Sequence, residues 1–296
     1  MKHSFATAQS TVLPIERAAV FFDGVFSEPR LQHPEGVALG PDGWLWCGTE
    51  NGEILRIAPD ASCIELVARA GGFTLGLAFD GDRALFFCDN KDRAVYRLDL
   101  ASRGVARFTP PGIRIPNFPV VDARRRRLFV SDSYDFVSTG AGVWAYDLED
   151  GQGGVWYSEP MTFANGMALA PSGDALFVCE TFARRITRIA IGENGAAAGG
   201  SVFAGNLPGL PDGIAFDVSG HLFVGRYEPS RVLRISPHGK AEIYIEDPTA
   251  HLFAHPTNIA FDGPFLFVAN LGRWHVTRIA SDTNAPPLWS TAVQPQ

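Results

Sequence analysis

The chain has 296 residues, 25 basic and 32 acidic side chains, and a formal charge of −7. With 46% apolar and 19% charged residues it can bury a large core, which excludes intrinsic disorder. An acidic balance without a basic stripe excludes nucleic acid as partner, and no stretch reaches the ~18 apolar residues that a membrane helix needs. The 31 glycines and 21 prolines argue for many turns and few long helices. Four cysteines without a CxxC pair suggest neither a zinc knuckle nor a disulfide scaffold. Met1 to Ser10 carries one lysine and no apolar stretch, so no secretory signal is expected and a cytoplasmic location is the default.

In chain order, the first strand expected is AVFFDG (19–24). A four-part phrase then recurs. Its first strands are HPEGVALGPDG (33–43), FTLGLAFDGD (73–82), IPNFPVVDARR (115–125), FANGMALAPSG (163–173), LPDGIAFDVSG (210–220) and HPTNIAFDG (255–263). Second strands follow as LWCGT, LFFCDN, LFVSDS, LFVCET, LFVGRY and LFVAN. Third strands are EILRIA, AVYRLD, GVWAYD, RITRIA, RVLRIS and HVTRIA. Weaker fourth strands (CIELVA, VARFT, GVWYS, SVFAG, AEIYIE) are present in all copies but the last. One variable position falls at Glu35, Leu75, Asn117, Asn165, Asp212 and Thr257, in steps of 40, 42, 48, 47 and 45 residues. That is the period of a four-stranded propeller blade. The expectation is an all-β, six-bladed β-propeller of four-stranded blades over 19–285. Its ring is closed by the N-terminal strand, with an extension at 1–18 and a tail at 286–296.

In a propeller the first strand of each blade lines the central channel, so the variable positions form a ring at one mouth. Glu35, Asn117, Asn165 and Asp212 are oxygen donors, and two carboxylates without a basic neighbour repel unless a cation lies between them. This is a hard-oxygen set suited to Ca²⁺, with Mg²⁺, Mn²⁺ or Zn²⁺ as alternatives. Leu75 and Thr257 are then a wall and a supporting hydroxyl. Cys47, Cys88 and Cys179 share one second-strand register with Ser131, Gly225 and Ala269, so they read as packed small residues; Cys63 reads as an inert residue of an outer strand. The next register (Gly48, Asp89, Asp132, Glu180, Arg226, Asn270) fits either structural hydrogen bonding or substrate contact. His33 and His255 lie two residues before the ring, and His251 or His255 is a candidate proton shuttle. Arg124 to Arg127 reads as a solvated turn.

The HPEG around Glu35, PNFPVVD around Asn117, FANGMALAPSG around Asn165 and LPDGIAFDVSGHLFVG around Asp212 resemble the gluconolactonase, regucalcin and luciferin-regenerating-enzyme family. More distantly, the chain is similar to strictosidine-synthase-like and paraoxonase-type propellers. The resemblance covers about Phe22 to Ile279. It implies a divalent cation held by Glu35, Asn165 and Asp212, with Asn117 as a fourth ligand or substrate contact, and Asp212 as general base or nucleophile. It implies metal-dependent hydrolysis of a lactone. The alternatives are aryl-ester or phosphotriester hydrolysis, strictosidine-synthase-like chemistry, or a non-catalytic ligand-binding propeller. Where sugar lactonases of the family carry a polar blade-three mouth, this chain has Ile115 and Phe118, with Arg114 one residue off. Phe73, Tyr134, Phe136, Phe163 and Phe182 add an apolar character. Substrate contacts are expected from Asn117, Phe118, Arg114, Phe136, Thr257 and His255. The expected partner is a small, apolar or aromatic lactone or ester, bound by a monomer or dimer.

Overall fold

The computed structural model describes residues 10–286. The reading of Met1 to Ser10 and the tail expected over 286–296 therefore fall almost wholly outside the described residues. Within them the only helix is a single 3₁₀ turn at Ile15–Arg17, and no helix is long and apolar enough to cross a membrane.

Six four-stranded antiparallel sheets follow one another along the chain. Blade one comprises Pro34–Leu39, Leu45–Thr49, Glu53–Ile57 and Ile64–Arg69; blade two Thr74–Asp80, Ala84–Asp89, Ala94–Asp99 and Val105–Arg107. Blade three comprises Pro116–Asp122, Arg127–Asp132, Gly140–Asp147 and Gly153–Met161; blade four Ala164–Leu169, Ala175–Glu180, Arg185–Ile191 and Ala197–Ala204. Blade five comprises Leu210–Phe216, Leu222–Glu228, Arg231–Ile235 and Ala241–Glu246. Blade six has Pro256–Asp262, Phe265–Asn270 and His275–Ala280, and its outermost strand is Ala18–Asp23 from the other end of the chain. The ring thus closes as expected, by pairing Ala18 with Ile279 and Asp23 with His275. A closed ring leaves only short sheet edges.

The core is divided like the blades. Six apolar clusters fill the six spaces between adjacent sheets, for example Cys179, Ile214 and Leu233 between blades four and five. The second strands supply their centres, and strands buried on both faces read as apolar runs rather than alternating ones. Cys47, Cys88 and Cys179 sit there as free, wholly buried thiols, and burial pushes the Cys47 thiol up to about 12. Cys63 differs from its expected place: it precedes Ile64–Arg69 and is exposed.

The segment before Ala18 is bound to the ring. Val12 and Leu13 donate backbone hydrogen bonds to Ile243 and Tyr244 (3.0 and 2.8 Å), and Leu13 is buried in the cluster between blades five and six. In the arginine turn, Arg125 reaches Asp122 and the Gly173 carbonyl, and Arg127 the Gly195 carbonyl. Two of its four side chains therefore tie blade three to blade four.

Candidate metal centre

The ring residues reach the channel through a feature that recurs in every blade. Pairing between first and second strands slips by one residue at the ring position: Pro34 faces Thr49 but Val37 faces Cys47, and Ala164 faces Glu180 but Met167 faces Val178. The same slip occurs in blades two, three, five and six. A bulge opposes two residues to one, breaks strict alternation and re-aims side chains. Here the ring residue and its successor form the bulge.

The successor explains the recurrent glycine. It lies where the next blade's first strand comes closest. A β-carbon at Gly166 would stand 2.5 Å from the Asp212 carbonyl oxygen, one at Gly213 2.8 Å from that of Thr257, and one at Gly76 2.9 Å from that of Asn117. These distances are below real van der Waals contact, so in four blades glycine is what lets neighbouring first strands converge. Blade six has Asn258 instead. Its Nδ2 donates to the Glu35 carbonyl at 2.8 Å, and Thr257 Oγ1 donates to the same oxygen at 2.9 Å. The last blade thereby holds the first ring residue in place. Blade three has Phe118, whose amide donates to Ser131 Oγ at 3.0 Å.

All six ring residues are buried. Asn117 Nδ2 donates to Ser133 Oγ at 3.0 Å, and that hydroxyl donates to the Ala164 carbonyl at 2.8 Å. Asn165 Nδ2 donates to Thr181 Oγ1 at 3.1 Å, which donates to the Pro211 carbonyl at 2.8 Å. Each relay fixes one amide and reaches the backbone just before the next ring residue. With their nitrogens engaged, both amides keep an oxygen free. The buried oxygens Glu35 Oε2, Asn117 Oδ1, Asn165 Oδ1 and Asp212 Oδ1 have no hydrogen-bond partner. Buried polar atoms are rarely left unpaired, and four at the oxygen-donor positions of one ring fit a hard cation. Among the described residues no group of three or more His, Cys, Asp and Glu side chains is placed to hold a metal. The candidate set is two carboxylates and two amides.

The electrostatics agree with that need. Burial pushes the Asp212 carboxyl from 3.8 up to about 7, against the opposing effect of the Asn165 amide beside it. Burial and then the charge of Asp212 raise Glu35 well above the carboxylate range, against the Thr257 hydroxyl. Both acids are buried, and the charge of one raises the other, as two carboxyls brought together by a fold repel. Tyr227 belongs to the same mouth: burial, then Glu35 and Asp212, raise its phenol, and its ring lies 4.4 Å from that of His255.

The second-strand register beneath the ring does structural work. Asp132 accepts the amides of Arg114 (3.0 Å), Ile115 (2.8 Å) and Tyr134 (2.9 Å). Asp89 accepts that of Gly72, Glu180 that of Thr162 and Asn270 that of Ala254, so each fastens the loop entering its first strand. Blade five departs. Arg226 stands there wholly buried, its Nε and Nη1 unpartnered, and burial lowers its guanidinium to about 10. The adjacent loop turns instead on Gly209 at φ +81°, where a β-carbon would strike the Arg226 guanidinium.

The other expected contacts divide. Thr257 spends its hydroxyl on the Glu35 backbone. Phe118 and Phe73 pack against the interblade core. The Arg114 guanidinium lies 4.2 Å from the centre of the Tyr134 ring and 3.6 Å from Asp135. His255 stands at the mouth with Nε2 3.4 Å from Glu228, while His33 Nδ1 is bound to the Leu271 carbonyl at 2.7 Å and His251 lies exposed on its loop. His33, Phe163 and His255, each two residues before the ring, adopt left-handed φ of 45°, 56° and 53°. Strained backbone of this kind clusters at functional sites. Phe136, Phe163 and Phe182 come together at the mouth. The sequence reading did not single out Ser133, Thr181, Asn258 and Tyr227 for these parts. A readable signal exists for two of them: a hydroxyl residue one position past the second-strand acid, in the two blades whose ring residue is asparagine.

Comparison with known proteins bears out the resemblance. Residues 155–270 match the SMP-30/Gluconolactonase/LRE-like region, and residues 26–57 the strictosidine synthase-like N-terminal region. Strictosidine synthase-like protein 6 of Arabidopsis thaliana is 26% identical over 221 residues, covering 66% of this chain and 56% of that protein. Lactonase drp35 of Staphylococcus haemolyticus is 24% identical over 225 residues, covering 55% of this chain and 66% of that one. The chain spans about half the length of the first curated relatives it matches. Among solved structures, the gluconolactonase XC5397 of Xanthomonas campestris superposes with a TM-score of 0.72 at 22% identity, covering 89% of each chain. At that identity the likeness shows the fold.

Proposed function

We propose that this propeller, similar over residues 155–270 to the SMP-30/gluconolactonase/LRE-like region, is a divalent-cation-dependent hydrolase of lactones. The carrying observation is the set of four unpaired, buried oxygens on Glu35, Asn117, Asn165 and Asp212. The match to lactonases supports lactone hydrolysis in general. A cation held by these four residues supplies Lewis-acid polarisation of a lactone carbonyl and offsets the charge that develops on its oxygen. Calcium suits the hard-oxygen set first, ahead of magnesium, manganese and zinc.

The chain's own residues do the rest. Ser133 and Thr181 hold the two amides so that their oxygens stay turned to the ring. Thr257 and Asn258 fix the backbone of Glu35. Asp212 is the general base: its carboxylate takes a proton from the water that attacks the carbonyl carbon, then returns it to the ring oxygen as the C–O bond breaks, leaving a hydroxy acid. Burial raises the Asp212 carboxyl in the cation-free protein, and a cation at the ring opposes that rise, keeping the carboxylate ionised and able to accept the proton. Direct attack by Asp212 on the carbonyl is the alternative role.

The test is activity on a panel of lactones with and without a chelator. Loss on chelation, recovery on adding calcium, and inactivity of Asp212→Asn and Glu35→Gln are the expected results. Full turnover of every active lactone by both variants would refute the mechanism. A second reading is favoured by the match of residues 26–57: a strictosidine-synthase-like biosynthetic activity, which needs no cation and survives chelation.

A further inference from the structure

We infer that the mouth between blades three and four takes the apolar substituent of the substrate, so that alkyl- or aryl-substituted lactones are turned over in preference to polyhydroxylated ones. The inference rests on the lactonase reading and names its substrate class.

Three phenylalanines from three separate loops meet there. Ring centres lie 5.0 Å apart for Phe136 and Phe163, 4.8 Å for Phe163 and Phe182, and 6.4 Å for Phe136 and Phe182. These are tilted pairs within attractive range. Phe136 is 66% exposed, Phe182 40% and the adjoining Val137 95%. Large apolar side chains grouped in water mark a surface meant to be covered. What covers it follows from what it is attached to. Phe163 is two residues before Asn165, and its carbonyl accepts the Thr181 amide at 3.2 Å. Thr181 holds the Asn165 side chain, and Phe182 is the next residue. Phe136 lies three residues beyond Ser133, which holds Asn117. The three rings are thus fastened to the groups that aim two of the four ring oxygens. A small molecule whose carbonyl sits at the ring presents its substituent to them. The opposite side of the loop is polar, with Arg114 against Tyr134 and Asp135, so the apolar surface has a defined edge.

The experiment compares kcat/KM for unsubstituted γ-butyrolactone, γ-lactones with propyl to heptyl chains, and gluconolactone. Each methylene that reaches the rings is expected to raise kcat/KM about three- to fourfold. Gluconolactone should fall below the alkyl series. Phe136→Ser and Phe182→Ser are expected to cut the heptyl-to-unsubstituted ratio at least tenfold, while Val202→Ser, exposed on the outer strand of blade four, keeps it. A flat series, preference for gluconolactone, or a ratio that survives both phenylalanine variants would overturn the inference. Calorimetric binding of the corresponding lactams, which are not hydrolysed, separates the two levels. Chain-length-dependent binding without turnover of any lactone would sink the hydrolase reading and leave the apolar subsite standing. Chain-length-independent binding would remove the subsite alone.

Discussion

Replacing Asp212 by asparagine is expected to stabilise the cation-free protein at neutral and alkaline pH and to leave it unchanged in acid. The buried carboxyl has its pKa raised from 3.8 to about 7. Below pH 4 both folded and unfolded chains carry the proton, and no penalty exists. Between pH 4 and 7 the unfolded chain releases the proton while the folded one retains it, so stability falls as pH rises. The shift is about three pH units at ~1.4 kcal/mol each, a loss of ~4 kcal/mol that is complete above pH 7. Glu35 is raised in the same direction and adds to the slope. Asparagine keeps the shape and removes the charge, and it also relieves Glu35 of its repelling neighbour. Urea unfolding in chelator at half-unit steps from pH 4 to 8 measures this directly. The two stability curves should coincide near pH 4 and diverge by ~4 kcal/mol at pH 8, and calcium should restore the wild type alone. Parallel curves across the range would refute the claim that these two acids are forced together without compensation.

Thr181→Val removes the hydroxyl that joins Asn165 to the Pro211 carbonyl; calcium binding by calorimetry is expected to weaken about tenfold, with a stability loss of about 1–3 kcal/mol. Gly166→Ala drives a β-carbon against the Asp212 carbonyl and should cost ~3 kcal/mol or more in denaturant unfolding, together with the cation affinity. Arg226→Met replaces a buried guanidinium whose Nε and Nη1 lack partners by an apolar chain of similar length, and a rise in stability of about 1–3 kcal/mol is expected from the midpoint of urea unfolding.

The blades and the ring were legible because one repeat places the same turn and the same strand six times. Once Glu35, Asn117, Asn165 and Asp212 share a register, convergence follows from symmetry. Departures from strict repetition were not legible. Phe118 looks like a mouth residue in a linear reading, yet it is the second residue of the blade-three bulge and packs between the blades, and nothing in a period-two pattern announces a bulge. Phe73, just before its strand, packs there too. Ser133 and Thr181 act across a blade boundary, and their partners are carbonyl groups that every residue possesses. Residues 10–17 carry too little pattern to show that they lie along blade five. Phe136, Phe163 and Phe182 could be called apolar and near the mouth, but their meeting depends on three loop conformations.

Ala18–Asp23 is the first of the propeller's strands along the chain and pairs with the last. On a ribosome that synthesises from the N-terminus, these six residues and Glu35 emerge early and wait while five further blades appear. Their partner, His275–Ala280, comes some 250 residues later, and Thr257 and Asn258, which grip Glu35, come only shortly before it. Blades formed in the interval have neighbours on one side only at the growing end, and the ring of oxygens stays incomplete until the circle shuts. Acquisition of a cation by a nascent chain would therefore report a finished circle, and a chain stalled before Pro256 would expose both an unpaired edge and an unassembled site to the surrounding quality-control machinery.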